Sequence, residues 1–582
     1  MAQKNPSLSL AALPSELIDH ITSHLPNRDI KNLRLTSISH SHSVRFRLRR
    51  VFISANPLDI KVLREIADHE EFRKDITEII WDDTYVTNYK SLIPLNEVSL
   101  PPSEVSSKSS QHIDHENHCP KWFYRSCKDN MKDFVRSRGK DRIRPDHAAR
   151  NRQLQEAMSP YDSYAYYYEL SKKQQRVLSS KDDVDAFAHA LDRFPSLSRV
   201  TITSRAHGRL FMPMYETPTI RAYPYGFVYP LPRDGCQENI SFLWEDTLVK
   251  NKKRRYFIWK RGFCSALRML AQNEQHNISE FVVEEHGQTP GVSHELFGAT
   301  QQARDDFILL LKRPNFRRLD LAFDEDPHPL PGPSQESLME MLSETTSLEH
   351  FSLSNSRTAG DWGKFAPTGW EYMTPSVPSE HMFNLAAKFP VRSIRHLTLQ
   401  GFLVDKDKLV ALLASLPNLR SVELHFVRFA IFMEQDGRTF RYKVRNYRDF
   451  LFDVRDTLGW RYRPAAMRPK VTIVLTAPRS VEGQVVQLDS DIDKFLYEEG
   501  ENPFVPTQPL GEAYSLVTTE EVTAHKLCSG KGIELDEFEP AHERPNVDEE
   551  TLTRLGVTGK EDDELLRPVQ WGVKPSSYYT RR

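Results

Sequence analysis

One spacing recurs along this chain and restricts its fold more than any bulk property does: apolar-x-x-apolar-x-apolar. It reads Ile76-Ile79-Trp81, Leu197-Val200-Ile202, Ile278-Phe281-Val283, Phe316-Leu319-Leu321, Leu348-Phe351-Leu353, Ile394-Leu397-Leu399 and Leu419-Val422-Leu424. The last two apolar positions of each copy lie two residues apart, so on a strand they share a face and the residue between them takes the other. An amphipathic segment precedes most copies: DDVDAFAHALDRF, QQARDDFILLLKR, SEHMFNLAAKF and DKDKLVALLASL. Pro195, Pro314, Pro390 and Pro417 stand between segment and strand pattern, where each stops a helix. Helix, proline stop and strand form the repeating unit.

This unit resembles a leucine-rich repeat. Repeats of that kind bury their apolar faces only by stacking, so the resemblance implies an irregular αβ solenoid, with strands on the concave side and helices outside. Two features depart from the family pattern. The intervals between strand copies vary, and the Asn or Cys expected three residues beyond the last apolar position is replaced, by Val427 after Leu424 and by Ser356 after Leu353. The competing α/β arrangement, a doubly wound sheet, predicts a glycine-rich phosphate turn, and the sequence holds no G-x-G-x-x-G and no G-x-x-x-x-G-K-[ST].

The N-terminal stretch LPSELIDHITSHLP carries a different signal. Leu13, Leu17, Ile21 and Leu25 recur at helical spacing beside Ile18, with Pro14 in the first turn and Pro26 at the end. Asn27 is placed to cap a second helix containing Ile30, Leu33 and Leu35, and SVRFRLRRVFI reads as a third segment with Val44, Phe46, Leu48, Val51 and Phe52. These three segments read as three short helices, which hold more apolar side chains than they can bury among themselves. From Leu13 to Ile53 the order of residues resembles an F-box of the fungal type, although Thr36 to Ser43 departs from the basic and aromatic residues usual there. The resemblance implies docking on a Skp-type adaptor and, through it, a cullin. The adaptor-binding set it implies is Leu13, Pro14, Leu17, Ile18, Ile21, Leu25, Ile30, Leu33 and Leu35.

The expected organisation is therefore a flexible start (1–12), an F-box-like module (13–53), a repeat solenoid (54–482) with insertions near 84–180 and 204–258, and an acidic, partly extended tail (483–582). A length of 582 residues exceeds one ordinary core, and a net charge of −2 gives no global field toward nucleic acid or membrane. Five scattered cysteines and the absence of a leader-like start point to a reducing compartment, cytoplasmic or nuclear. Within the second insertion, Tyr215, Tyr223, Tyr225, Phe227 and Tyr229 alternate with prolines, either covering the solenoid edge or offering a second contact surface.

No catalytic constellation emerges. His112, His115, His118, Cys119 and Cys127 lack the paired halves of a zinc site. None of the His-Glu pairs at His69, His115, His294 and His542 completes H-E-x-x-H, and no G-x-S-x-G elbow occurs. The expectation is a non-enzyme without metal or cofactor. The chain would act as the substrate-recognition subunit of a cullin-RING ubiquitin ligase; the alternative is a repeat scaffold outside any ligase that binds protein or nucleic acid. Fixing the repeat leucines in the core sends Arg318, Asp320, His350, Ser352, His396, Thr398, Ser421 and Glu423 to or beside the opposite strand face. Their mixed charge suits a protein substrate and argues against nucleic acid.

Overall fold

In the computed structural model, the described residues are 13–86, 113–137, 152–231, 261–324, 341–355, 393–476, 484–504 and 527–529, with short gaps inside these ranges. They form a mixed α/β fold around one long sheet. Nine parallel strands run β1 (Arg50–Ser54), β2 (Glu78–Asp82), β3 (Arg199–Thr203), β4 (Glu280–Glu284), β5 (Arg318–Asp324), β6 (His350–Asn355), β7 (His396–Gln400), β8 (Ser421–His425) and β9 (Lys470–Thr476). Each pairs with the next in chain order. β10 (Gln484–Gln487) and β11 (Leu527–Ser529) extend the sheet antiparallel beyond β9.

The ladder keeps one register, so the apolar pairs align as two rows: Val51, Ile79, Val200, Phe281, Leu319, Phe351, Leu397, Val422 and Val471, then Ile53, Trp81, Ile202, Val283, Leu321, Leu353, Leu399, Leu424 and Ile473. Every one of them is buried in a single core. Helices supply the other side of that core. They are α4 (Pro57–Asp68), α7 (Asp182–Arg193), α8 (Arg261–Gln272), α9 (Gln301–Leu311), α10 (Lys406–Ala414), α11 (Tyr447–Thr457) and α12 (Asp489–Tyr497). In α4, Asn56 caps the helix by accepting from Leu58 N–H at 2.9 Å, and Pro57 fills the first position, where no donor is needed. Ile60, Leu63 and Ala67 then fall on its buried face.

Four expectations change. The third N-terminal helix is α3 (Ile38–Ser43), following α1 (Ser15–Ser23) and α2 (Asn27–Thr36). The segment expected to be helical, SVRFRLRRVFI, instead runs extended into β1, because Leu48-Val51-Ile53 obeys the strand spacing and Val51 and Ile53 enter the sheet core. The boundary at residue 53 therefore cuts through the first strand. Asn27 does not cap α2 with its side chain; it pairs with the Arg47 backbone, donating to its carbonyl at 2.9 Å and accepting from its N–H at 3.0 Å. The acidic tail does not begin at residue 483, since Leu488, Ile492, Phe495, Leu496 and Phe504 join the sheet core while the acidic side chains of α12 take its other face.

The first insertion builds a second core of its own. α5 (Lys121–Ser137) and α6 (Pro160–Ser180) enclose Phe123, Cys127, Met131, Tyr167 and Leu170 together with Phe227, Val228 and Tyr229 from the second insertion. SEHMFNLAAKF, all but the last residue of KNKKRRYFIWKR (250–261), the strongest basic run of the sequence, and residues 530–582 lie outside the described residues.

Candidate functional site

Two surfaces carry the residues singled out by the sequence. The first is the N-terminal module, where Ile18, Ile30 and Val44 form a small interior separate from the sheet core, flanked by half-buried Leu13, Leu25, Leu33 and Phe46. Arg34 donates to the Val44 carbonyl and lies over the Phe46 ring, and Arg47 donates to the Ser23 and Leu25 carbonyls, locking the extended segment to the helices. The expected adaptor-binding set thus divides. Ile18 and Ile30 are interior and can only support a contact, whereas Pro14, Leu17 (49% exposed), Ile21 (41%) and Leu35 (76%) reach solvent. Ile38, 79% exposed, joins them and was not in the expected set, because Thr36 to Ser43 fits the F-box order poorly.

The second surface is the strand face opposite the helices. Its first row across the register is Arg50, Glu78, Arg199, Glu280, Arg318, His350, His396, Ser421 and Lys470, and its second is Phe52, Ile80, Thr201, Val282, Asp320, Ser352, Thr398, Glu423 and Thr472. Opposite charges meet on neighbouring strands: Arg50 Nε donates to Glu78 at 2.9 Å and Arg199 Nε to Glu280 at 2.8 Å. Such cross-strand pairs also favour this register over a slipped one.

All eight expected substrate residues lie on β5 to β8 and are half-buried. Arg318 donates to Asp320 at 2.6 Å, and His350 Nε2 sits 3.3 Å from Asp320. The His350 and His396 rings lie 5.7 Å apart, and His396 Nδ1 meets Ser421 Oγ at 2.7 Å. Glu423 stands 3.3 Å from His425 Nε2. Partial burial lowers the pKa of His350 despite Asp320, and lowers that of His396 despite Glu423, so both rings are neutral near pH 7. The result is a polar surface of mixed charge with no excess of positive groups.

Over β1 to β3 this face is covered. Ala206 and Tyr215 of the second insertion bury Ile80, and Tyr215 donates from its hydroxyl to Glu284 at 3.1 Å. His207 Nδ1 meets the Tyr229 hydroxyl at 2.9 Å, and burial lowers the His207 pKa to about 4. Thr219 N–H and the Ser54 hydroxyl both donate to Asp59, at 2.8 and 2.5 Å, whose carboxyl burial raises to about 6. The aromatic stretch is therefore an interior piece: Tyr215, Phe227 and Tyr229 are buried, Tyr223 is half-buried, and only Tyr225 among the five rings is mainly exposed. Of the two readings of this stretch, the rings that cover the sheet fit the burial, and of the alternative contact surface around Tyr223 to Tyr229 only Tyr225 is mainly exposed.

Cys119 and Cys127 are buried in the second core, and His112, His115 and His118 lie outside the described residues. Among the described residues, no three His, Cys, Asp or Glu side chains are placed to hold a metal ion, and no helix is long and apolar enough to cross a membrane. The chain matches no known family model, and no curated protein is significantly similar to it.

Proposed function

We propose that this chain is an F-box-type substrate receptor, in which the N-terminal helices engage a Skp-type adaptor and a leucine-rich-repeat-like solenoid holds a protein for ubiquitin transfer by cullin-bound partners. One observation carries the reading. The three-helix module completes its own interior with Ile18, Ile30 and Val44 and still presents Leu17, Ile21, Leu35 and Ile38 to water. So many large apolar side chains exposed on so small a module are the composition of an interface, not of a solvated surface.

The chain order of the nine strands supports the solenoid part. A doubly wound sheet reverses its strand order at a switch point where ligands bind, whereas stacked repeats add each strand beside the last. The mixed polar face on β5 to β8, without excess positive charge, supports a protein substrate, because a polyanion favours a surface with excess positive charge. The chemistry would belong to other subunits, and this chain would supply proximity. Immunopurification of the tagged chain from its own cells, followed by mass spectrometry, tests the reading: a Skp-type adaptor and a cullin should co-purify. Recovery of a protein assembly lacking both would favour the scaffold outside any ligase.

A further inference from the structure

Between α11 and β9 the chain forms a built loop of two single turns, Trp460–Tyr462 and Ala465–Met467. Trp460 is buried beneath it, and Gly459 enters it at φ +63°, a backbone state that favours glycine. Arg468 braces the loop by donating to the Arg463 and Arg461 carbonyls, both at 3.1 Å, while lying over the Tyr497 ring. Arg420, at the start of β8, donates to the Ala466 carbonyl at 3.0 Å. Four arginines thus meet at one short loop: Arg420 and Arg468 are bonded to its backbone, and Arg461 and Arg463 belong to it. Among the described residues none of them is ion-paired, and Asp456, the carboxylate near Arg461, is engaged by Arg455 at 2.7 Å.

Like charges gathered this way repel one another. Amid them Tyr462 stands 86% exposed and Met467 38% exposed. Arginine and tyrosine displayed on a rigid support are the residues that dominate binding energy at interfaces, and little ordering entropy remains to be lost. The surface fits an anionic partner that also carries apolar groups.

We propose that this loop is a docking surface for an acidic segment bearing apolar residues, and that residues 538–550 of the same chain occupy it. That segment, FEPAHERPNVDEE, has five carboxylates against one arginine, with Phe538 at its start and Val547 further on. Its origin lies within reach. β11 ends at Ser529 on the far end of the strands, two ladder steps from β9. Crossing two steps and the seven residues of β9 spans about 25 Å at strand spacing, and the eight residues after Ser529 extend to about 27 Å, so the chain arrives at the loop with Phe538. A tethered segment also acts at a high effective concentration. Tyr462 and Met467 favour a peptide with apolar side chains over a nucleic acid strand, which would leave Met467 without a counterpart.

The test uses three full-length forms and a fluorescent synthetic peptide of residues 538–550. The first form is unaltered; the second carries E539Q, E543Q, D548N, E549Q and E550Q; the third adds R461E and R463E, whose side chains make no hydrogen bond among the described residues. The second form should bind the peptide, less tightly as salt rises. The unaltered chain should bind it about tenfold or more weaker, because its own segment competes, and the third form should bind comparably weakly. The second and third forms, in neither of which the segment docks, should melt alike, separating lost docking from lost folding. Equal peptide binding by the first two forms, undiminished binding by the third, or no binding by the second overturns the proposal. So does an oligouridylate that displaces the peptide from the second form at lower concentration than unlabelled peptide does.

Discussion

Asp59→Asn is expected to stabilise this protein at neutral pH. Asp59 lies on α4, almost wholly buried, where it accepts from the Ser54 hydroxyl at the end of β1 and from Thr219 N–H in the second insertion. Burial raises its pKa from 3.8 to about 6, and the Asp82 charge adds to that rise against the two hydrogen bonds. The folded chain therefore holds a proton that the unfolded chain releases between those values. Its contribution to stability is fully present below 3.8 and is lost as pH rises through about 6. Once the carboxyl is ionised in both states, the loss amounts to about 3 kcal/mol. Asparagine keeps an acceptor for Thr219 and can donate to the Ser54 oxygen, without the ionisation. The variant should thus exceed the unaltered protein by roughly 1–2 kcal/mol at pH 5 and about 3 kcal/mol at pH 8. His207 is common to both and cancels. Urea unfolding followed by circular dichroism at the two pH values measures the difference. A variant less stable at pH 8, or a difference that does not grow with pH, would refute the reasoning.

Two further outcomes follow from the same geometry. Reversing Asp320 and Glu423 to Lys should reduce recovery of co-purifying substrate while adaptor binding is retained, since strand face and N-terminal module are separate surfaces; unchanged substrate recovery would place the contact elsewhere. Gly226→Ala should loosen the cover over β1 to β3, because φ is +77° there and a Cβ would lie 2.1 Å from the Glu156 carbonyl oxygen. The expected loss is about 1–3 kcal/mol, seen as faster proteolysis within residues 205–231, and unchanged cleavage would contradict it.

The sheet was legible where one rule governed the residues. Seven strands follow from the six-residue spacing because each contributes three apolar side chains to one continuous core. The eighth, β1, follows it too as Leu48-Val51-Ile53, but a sequence cannot divide those residues between the end of a helical module and the start of a sheet. β9 escapes the pattern because Arg468 takes the first position and covers the Tyr497 ring instead of entering the core. The second core was hidden for another reason. Cys127, Tyr167 and Phe227 lie far apart in sequence, and no local period shows that two insertions pack on each other. The acidic start of the tail misled because composition masks spacing, although Leu488, Ile492, Phe495 and Leu496 already mark one helical face.

The site was legible in part. Fixing the leucines decided which strand residues face away, so Asp320, Ser352, Thr398 and Glu423 fall where alternation puts them. On α1, helical spacing alone does not distinguish an outward stripe from an inward one. Ile18 turns toward Val44 and Leu17 toward water, a division set by where α2 and the extended segment pack.

Titration calorimetry of the purified chain with a purified Skp-type adaptor tests the central claim most directly, with Leu17 and Ile21 both replaced by Asp as the comparison. Both side chains are exposed, so the double variant should melt as the unaltered protein does. The unaltered chain should bind with a negative heat-capacity change from buried apolar surface, and the variant should lose about 4 kcal/mol or more of binding free energy, enough to abolish a measurable signal. Adaptor binding that survives the double replacement, or no binding by the unaltered chain, would contradict the account.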